Sequence, residues 1–199
     1  MRRMVVMMQT TLNNRIAKSF GVFWEPFPWG EPEQAWLNGA FGSADTWAMS
    51  RVVYEAIVPW WDQVAAGQTP SDVDELDSLH PAELEFAAIQ KGLLKVVFSE
   101  TLEPGPGRRV ISGDLAGQLA ALKAEEGGDI MLTCGPRILA PLAAAPGLID
   151  EYLVAVHPAV IAGGLGMFEG IETDLALQLV ESHVFDGGAV VLRYQVLST

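Results

Sequence analysis

Hydrophobic positions in this chain fall into two kinds of segment. Some are short continuous apolar runs, and others are longer stretches in which an apolar residue recurs every three or four positions. Short runs rich in Val, Ile, Leu and Met are typical of buried strands. The last two such segments flank Asp-Gly-Gly at 186–188, a strong signal for an antiparallel hairpin. The predicted strands are residues 2–9, 45–50, 93–99, VISG, GDIMLTC, LIDEYLVAVHPAVI, DLALQLVESHVF and AVVLRYQVL.

The longer stretches have apolar residues spaced at about 3.6 positions, which is typical of amphipathic helices. Pro32 and Pro81 stand where a first helical turn tolerates proline. Ser50 and Asp114 precede two of the stretches and are predicted N-caps. Pro59 predicts a kink or a new turn. The predicted helices are EPEQAWLNGAF, SRVVYEAIVPWWDQVAAG, HPAELEFAAIQKG, LAGQLAALKAEE and PRILAPLAAA.

Strands and helices therefore alternate over most of the chain. This order predicts an α/β domain in three layers, with a mostly parallel central sheet, helices on both faces and a C-terminal antiparallel hairpin. Ligands of such sheets bind at the carboxyl ends of the strands. No internal repeat or flexible linker is visible, so we expect a single domain over residues 1–199.

Composition narrows the functional classes. The net charge of −13 argues against nucleic acids and anionic membranes as partners, because both attract basic surfaces. No apolar run reaches the roughly 18 residues of a membrane span, and the first residues do not resemble a signal peptide, so we expect a cytoplasmic protein. A single cysteine and three scattered histidines predict neither an intramolecular disulfide nor a metal site.

Five segments in a fixed order resemble a known family, the dihydrofolate-reductase-like reductase (C-terminal) domain of the bifunctional riboflavin-biosynthesis deaminase–reductase. The likeness is greatest to its stand-alone bacterial members. It covers nearly the whole chain apart from an aromatic insert at 21–36 and an acidic loop at 67–80, and the His/Cys zinc pattern of the deaminase is missing. The segments are VVMMQTTLNNRIA, SRVVYEAI, KVVFSETLE, GGDIMLTCGPRILAPL and GLIDEYLVAVHPAVIAGGLGMFE.

The resemblance implies an NADPH-dependent oxidoreductase that acts on a pterin-like or pyrimidine-like heterocycle. The family member of riboflavin biosynthesis is 5-amino-6-(5-phosphoribosylamino)uracil reductase, and members often form homodimers. In such enzymes the cofactor carries the hydride. The protein binds and orients the reactants and excludes water from them. The alternative is a catalytically silent homodimeric nucleotide-binding protein that keeps the fold.

The turn Cys134-Gly135-Pro136 joins a predicted strand to a predicted helix. In the family this turn approaches the cofactor pyrophosphate, since a helix N-terminus favours an anion. We expect contacts from the backbone amides of Gly135, Arg137 and Ile138, with Pro136 at the first helical position, where its missing N–H is spare. The alternative is a plain bend between the strand and the helix. We do not expect Cys134 to be a catalytic thiol, because the sequence suggests no histidine partner near it.

Two further segments match cofactor-binding positions of the family. Arg51 stands where an arginine meets the 2′-phosphate of NADPH, and its alternative is a solvated arginine at a helix start. Ser99 stands where the family contacts the adenosine half, and its alternative is to cap a turn. In the family, a similar glycine loop lies near the cofactor and the substrate. The alternative is that the glycines here only form a tight turn with positive φ. These glycines are Gly163, Gly164 and Gly166.

The substrate side departs from the family pattern, and no catalytic residue is identified there. Asn13 replaces the usual Asp, Asn14 replaces a Gly, and Arg15 keeps a basic residue, so Asn13 and Arg15 are the substrate-side candidates. An amide cannot exchange a proton near neutral pH, so the substrate differs, water supplies the proton, or activity is lost.

The aromatic insert contributes two candidate substrate-binding residues, Trp24 and Trp29, with Phe27 and Trp36 close to them in the sequence. Aromatic faces stack on planar rings, so the insert is able to form the wall of a heterocycle site. The alternative is a satellite hydrophobic cluster or a contact between the subunits of a dimer.

Overall fold

The computed structural model describes residues 1–18, 27 and 29–197. Its helices are α1 (Glu31–Phe41), α2 (Arg51–Ala65), α3 (Pro81–Gly92), α4 (Leu115–Ala124) and α5 (Pro136–Ala143). Its strands are β1 (Met4–Thr11), β2 (Arg15–Ala17), β3 (Ala44–Ser50), β4 (Leu94–Phe98), β5 (Arg108–Ile111), β6 (Asp129–Thr133), β7 (Glu151–His157), β8 (Leu165–Gly166), β9 (Leu177–Val184) and β10 (Val190–Val196).

Eight strands form one sheet in the order β5-β4-β3-β6-β1-β7-β10-β9. The strands from β5 to β7 run parallel, and β10 is antiparallel to both β7 and β9. The strands β2 and β8 form a separate antiparallel pair. The predicted α/β class, the mostly parallel sheet and the C-terminal hairpin are therefore confirmed.

Two hydrophobic cores lie on opposite faces of the sheet, because successive side chains of a strand point to opposite sides. In β1, Met4, Val6 and Met8 belong to the core under α4 and α5. The alternate residues Val5 and Met7 belong to the core under α1, α2 and α3. The central strand is thus buried on both faces, which explains why its sequence is a continuous apolar run.

The predicted N-caps are confirmed. The Ser50 hydroxyl accepts the Val53 N–H at 3.4 Å at the start of α2, and the Asp114 carboxylate accepts the Gly117 N–H at 2.9 Å at the start of α4. Pro59 lies inside α2, which runs on past it as one helix. These caps fix where both helices begin, α2 directly after the carboxyl end of β3 and α4 after the short loop that follows β5.

Several segments differ from the sequence-based expectation. The strand expected over LIDEYLVAVHPAVI, residues 148–161, is shorter and ends at His157, because Pro158 has no N–H to donate to a neighbouring strand. The short antiparallel strand β2 was not predicted. The strand expected over VISG ends at Ile111, which leaves Ser112 and Gly113 in the loop that follows it. The glycine-rich segment after β7 contains the short strand β8, which the apolar pattern is too brief to reveal. Within the described ranges, every helix is too short or too polar to cross a membrane.

Candidate functional site

The carboxyl ends of the parallel strands meet at one edge of the sheet, and the predicted cofactor residues lie in loops at this edge. Arg51 and Ser99 follow β3 and β4, and the turn at residues 134–138 follows β6. The substrate-side loop follows β1, and the glycine loop follows β7. Since β6 lies between β3 and β1, the turn before α5 lies between the first group and the second.

A cavity of about 380 Å³ opens at the ends of β3, β4 and β5. We call it the β4–β5 cavity. Apolar side chains of Phe98, Ile111 and Leu115 contribute to its lining, and polar groups supply the rest. The described residues that line it are Arg51, Phe98, Ser99, Glu100, Thr101, Ile111, Ser112, Gly113 and Leu115.

Arg51 is the cation of this lining and the first residue of α2. Its Nε donates to the Glu55 carboxylate one helical turn on, at 2.7 Å, and its Nη1 donates to the Thr101 hydroxyl. The guanidinium is therefore held between α2 and the loop after β4. It is not merely solvated, although its side chain remains 45% exposed.

The loop after β4 is built around two side chains. The Ser99 hydroxyl accepts the N–H groups of Thr101 at 3.2 Å and Leu102 at 2.9 Å, so it caps the turn as well as lining the cavity. The Glu100 carboxylate accepts the Gly113 N–H at 3.2 Å. Gly113 has φ of 71°, a conformation that favours glycine. Glu100 and Gly113 were not predicted as site residues, and the signal for each was its place just after a parallel strand.

The turn before α5 has the predicted form. Gly135 is its N-cap with extended backbone, and a side chain there would meet nothing within 4 Å. Pro136 occupies the first helical position. The Ile138 N–H donates back to the Gly135 carbonyl at 3.1 Å, so this member of the predicted set uses its amide within the helix. Arg137 is exposed beside the turn.

Cys134, which precedes this turn, is 1% exposed. Burial raises the pKa of its thiol to about 12. A thiol with such a pKa is protonated near neutral pH, and the thiolate is the reactive form. Cys134 is therefore a core residue, in agreement with the absence of a histidine partner in the sequence.

Asn13 joins the loop after β1 to the loop after β7. Its side-chain oxygen accepts from the Thr11 hydroxyl at 2.7 Å and from the Ile161 N–H at 3.3 Å. Its side-chain NH₂ group donates to the Ile161 carbonyl at 2.9 Å. Asn14 next to it has φ of 59°, the left-handed conformation that Gly and Asn adopt most readily. Backbone geometry thus explains why Asn14 replaces a glycine.

Arg15 and the glycine loop also meet. The Arg15 Nη1 donates to the Gly164 carbonyl at 3.3 Å, and Arg15 pairs with Gly166 where β2 meets β8. Gly163 and Gly164 have φ of 75° and 84°. A side chain at Gly164 would lie 2.2 Å from the Ala17 carbonyl oxygen. The tight turn and close backbone approach therefore account for these two glycines.

Two residues of the aromatic insert, Phe27 and Trp29, pack against the end of β7. The rings of Phe27 and Trp29 lie 4.9 and 5.5 Å from that of His157, measured between centroids. His157 is fully buried, and its Nε2 lies 3.0 Å from the Gln9 side-chain oxygen. Trp29 also packs against the core under α1, α2 and α3, and its contact with a substrate stays a prediction. Trp24 lies outside the described residues.

The comparisons with known proteins decide the family. Residues 4–191 match the model of the RibD C-terminal domain. The chain belongs to the RibD C-terminal domain family. This family is the reductase domain of the riboflavin-biosynthesis deaminase–reductase, so the resemblance read from the five segments is confirmed.

Individual relatives agree with this family. The uncharacterized protein YyaP of Bacillus subtilis (strain 168) is 28% identical over 101 residues, which is 50% of this chain and 53% of YyaP. The match to this curated relative thus spans about half of its length. A structure from Shewanella sp. PV-4, assigned to riboflavin biosynthesis, has a TM-score of 0.69 at 17% identity. The match covers 98% of this chain and 99% of the Shewanella chain.

Dihydrofolate reductase from Enterococcus faecalis, complexed with NADP(H) and RAB-propyl, has a TM-score of 0.62 at 13% identity. The match covers 98% of this chain and 96% of the Enterococcus faecalis chain. At these identities the two solved structures show the fold alone. The domain therefore has the dihydrofolate-reductase-like fold that the five segments predicted.

Proposed function

We propose that the protein is a reductase that binds NADPH or NADH along the carboxyl edge of the sheet and reduces a planar pterin-like or pyrimidine-like heterocycle. The observation that carries this proposal is the β4–β5 cavity, which combines an arginine, hydroxyl groups and an apolar lining in a member of the RibD C-terminal domain family. The Enterococcus faecalis neighbour is a complex with NADP(H).

The residues present fit a dinucleotide. The cavity of about 380 Å³ lies within the range of roughly 300–1,000 Å³ that small-molecule sites occupy. Its apolar lining suits a purine, and its hydroxyl groups suit a ribose. At the start of α5, Gly135 leaves open space, and the amides of Gly135 and Arg137 with the Arg137 guanidinium suit a pyrophosphate. Pro136 takes away one donor at a position where the helix leaves it spare.

The cofactor, when bound, supplies the hydride, and the chain's residues bind and orient the reactants. The Asn13 side chain does not act as an acid near neutral pH. Its NH₂ group donates to the Ile161 carbonyl, and its oxygen accepts the Ile161 N–H. Water therefore protonates the reduced product in this proposal. Arg15 begins β2 directly after this loop and supplies a positive charge for an anionic group of the substrate.

We further propose that the protein works as a homodimer. The support is β9, an edge strand whose side chains are mostly exposed, with Leu179 at 50%, Val180 at 49% and Val184 at 69%. Unpaired edge strands with exposed apolar groups are prone to pair with another chain. Sedimentation equilibrium is expected to give twice the chain mass, and Val184→Lys to weaken the association. A monomer at high micromolar concentration would refute this part.

The function is tested by titrating the protein with NADPH and with NADH, followed by calorimetry or nicotinamide fluorescence. We expect saturable binding of at least one, and weaker binding by Arg51→Met, because this variant loses the hydrogen bond that holds the loop after β4 at the cavity. The matched control is Arg109→Met, because Arg109 pairs with Glu125 outside the cavity. Absence of saturable binding of either dinucleotide below millimolar concentration would overturn the proposal.

The catalytically silent binding protein is the second candidate. Asn13 in place of the family Asp favours it, as does the packing of Phe27 and Trp29 on His157. Turnover separates the two functions. Oxidation of the bound dinucleotide with any of a panel of pterins and aminopyrimidines supports the reductase, whereas binding without oxidation across the panel supports the silent protein.

A further inference from the structure

We propose that the β4–β5 cavity selects an adenosine ribose without a 2′-phosphate, so that the protein prefers NADH to NADPH, and that Glu100 determines this specificity. The inference rests on the proposed function, since it requires the adenosine half of a nicotinamide dinucleotide to lie in this cavity.

The first support is the charge of the described lining. Arg51 carries its positive charge and Glu100 its negative charge. Arg51 is already paired with the Glu55 carboxylate at 2.7 Å. The two charges of the lining balance, and Glu55, which lies outside the described lining, adds a negative charge beside the cavity, on a chain whose net charge is −13. A phosphate monoester brings a further charge of about −1.5 to −2 near neutral pH, which this set of charges repels.

The second support is that other nearby cations are engaged away from the cavity. The Arg108 guanidinium donates to the Glu103 carbonyl and to the Tyr54 hydroxyl. Arg109 pairs with Glu125 at 3.1 Å. For a 2′-phosphate to gain a bidentate arginine, Arg51 would have to leave both Glu55 and Thr101.

The third support is the position of Glu100. A carboxylate accepts hydrogen bonds from the hydroxyls of a ribose diol, and the Rossmann fold, another dinucleotide-binding fold, uses an acidic residue for the 2′-hydroxyl and an arginine for the 2′-phosphate. The Gly113 N–H donates to the Glu100 carboxylate at 3.2 Å and so anchors it at the cavity. Glu100 thus offers the diol an acceptor and the phosphate a repulsive charge.

Four ligands test the specificity on the full chain by calorimetry, namely NADH, NADPH, 5′-AMP and adenosine 2′,5′-bisphosphate. The last two isolate the adenosine half from the rest of the site. We expect NADH and 5′-AMP to bind at least about 5-fold more tightly than their 2′-phosphorylated counterparts, as one unfavourable charge contact in a watery environment predicts.

The variant is Glu100→Gln, which removes the charge and keeps an oxygen for the Gly113 N–H. It is expected to tighten binding of both 2′-phosphorylated ligands about 5-fold or more and to leave thermal stability unchanged. The control is Glu103→Gln, an exposed acid of the same loop outside the described lining. It should shift neither affinity.

The outcomes separate the two proposals. Tighter binding of NADPH than of NADH by the natural chain, or a Glu100→Gln variant with an unchanged ratio, overturns the specificity and leaves the reductase standing. If none of the four ligands binds, the reductase proposal fails, and this inference fails with it.

Discussion

Replacing Asn13 by aspartate introduces the acid that the family pattern has at this position, and we expect it to lower stability rather than to supply a proton. The Asn13 NH₂ group donates to the Ile161 carbonyl at 2.9 Å. Aspartate puts an oxygen in its place, so the donor is lost and two acceptors face each other. The contact with the Thr11 hydroxyl at 2.7 Å is compatible with either residue.

The magnitude follows from these contacts. An acceptor left without its donor costs about 1–3 kcal/mol when buried. Asn13 is exposed, so water relieves part of this cost, and we expect about 1 kcal/mol for Asn13→Asp. For a domain of this size that corresponds to a melting temperature lower by roughly 2–4 °C.

Urea denaturation of the natural chain, Asn13→Asp and Asn14→Asp, at neutral pH, measures this loss of stability. Asn14→Asp is the matched control, since it adds the same charge one residue away, where aspartate also tolerates the left-handed conformation. A gain of reductase activity without loss of stability in Asn13→Asp would refute the reasoning and show that the acid is simply missing.

Three further predictions concern stability and reactivity. Asn14→Val is expected to lower stability by about 1–2 kcal/mol in urea denaturation because of its φ of 59°, whereas Asn14→Gly should be nearly neutral. Burial alone would raise the pKa of Asp129, but hydrogen bonds from Arg3 and Ser43 outweigh it and hold that pKa below its ordinary value. The contribution of ionised Asp129 to the free energy of unfolding is therefore present above the unfolded pKa of about 3.9 and is lost as the pH falls through the folded pKa. Asp129→Asn should accordingly make the free energy of unfolding less dependent on pH in the acid range. Native Cys134 should resist thiol reagents at neutral pH and react in urea, since it is 1% exposed; rapid labelling of the native protein would contradict its burial.

Much of the candidate site was predictable as single positions. Arg51, Ser99 and Gly135 each follow a strand that the apolar pattern reveals, and the ends of parallel strands meet at one edge. The roles within that edge were less predictable. Asn14 carries the positive φ that explains its replacement of a glycine, while Ile138 turns out to donate within the helix.

Glu100 was missed because its role depends on a partner in the loop after the neighbouring strand, 13 residues further on. Its place just after β4 was the one signal, since SETLE otherwise resembles a solvated turn, and the packing of β5 beside β4 brings Glu100 to the Gly113 amide. The aromatic insert was open for the same reason, since contacts of Phe27 and Trp29 with His157 join segments more than a hundred residues apart.

Local sequence accounts for the larger elements of this protein: the order of the helices and of the strands in the main sheet, the caps at Ser50 and Asp114, and the C-terminal hairpin. These depend on local periodicity, capping groups and turn residues, which neighbouring residues encode. Three features come from long-range packing, namely the place of β6 between β3 and β1, the hydrogen bonds between Asn13 and Ile161, and the cavity that Arg51 and Glu100 share. Strand neighbours and registers are chosen by the burial of whole faces, so the groups that meet at the site are set by the packed sheet.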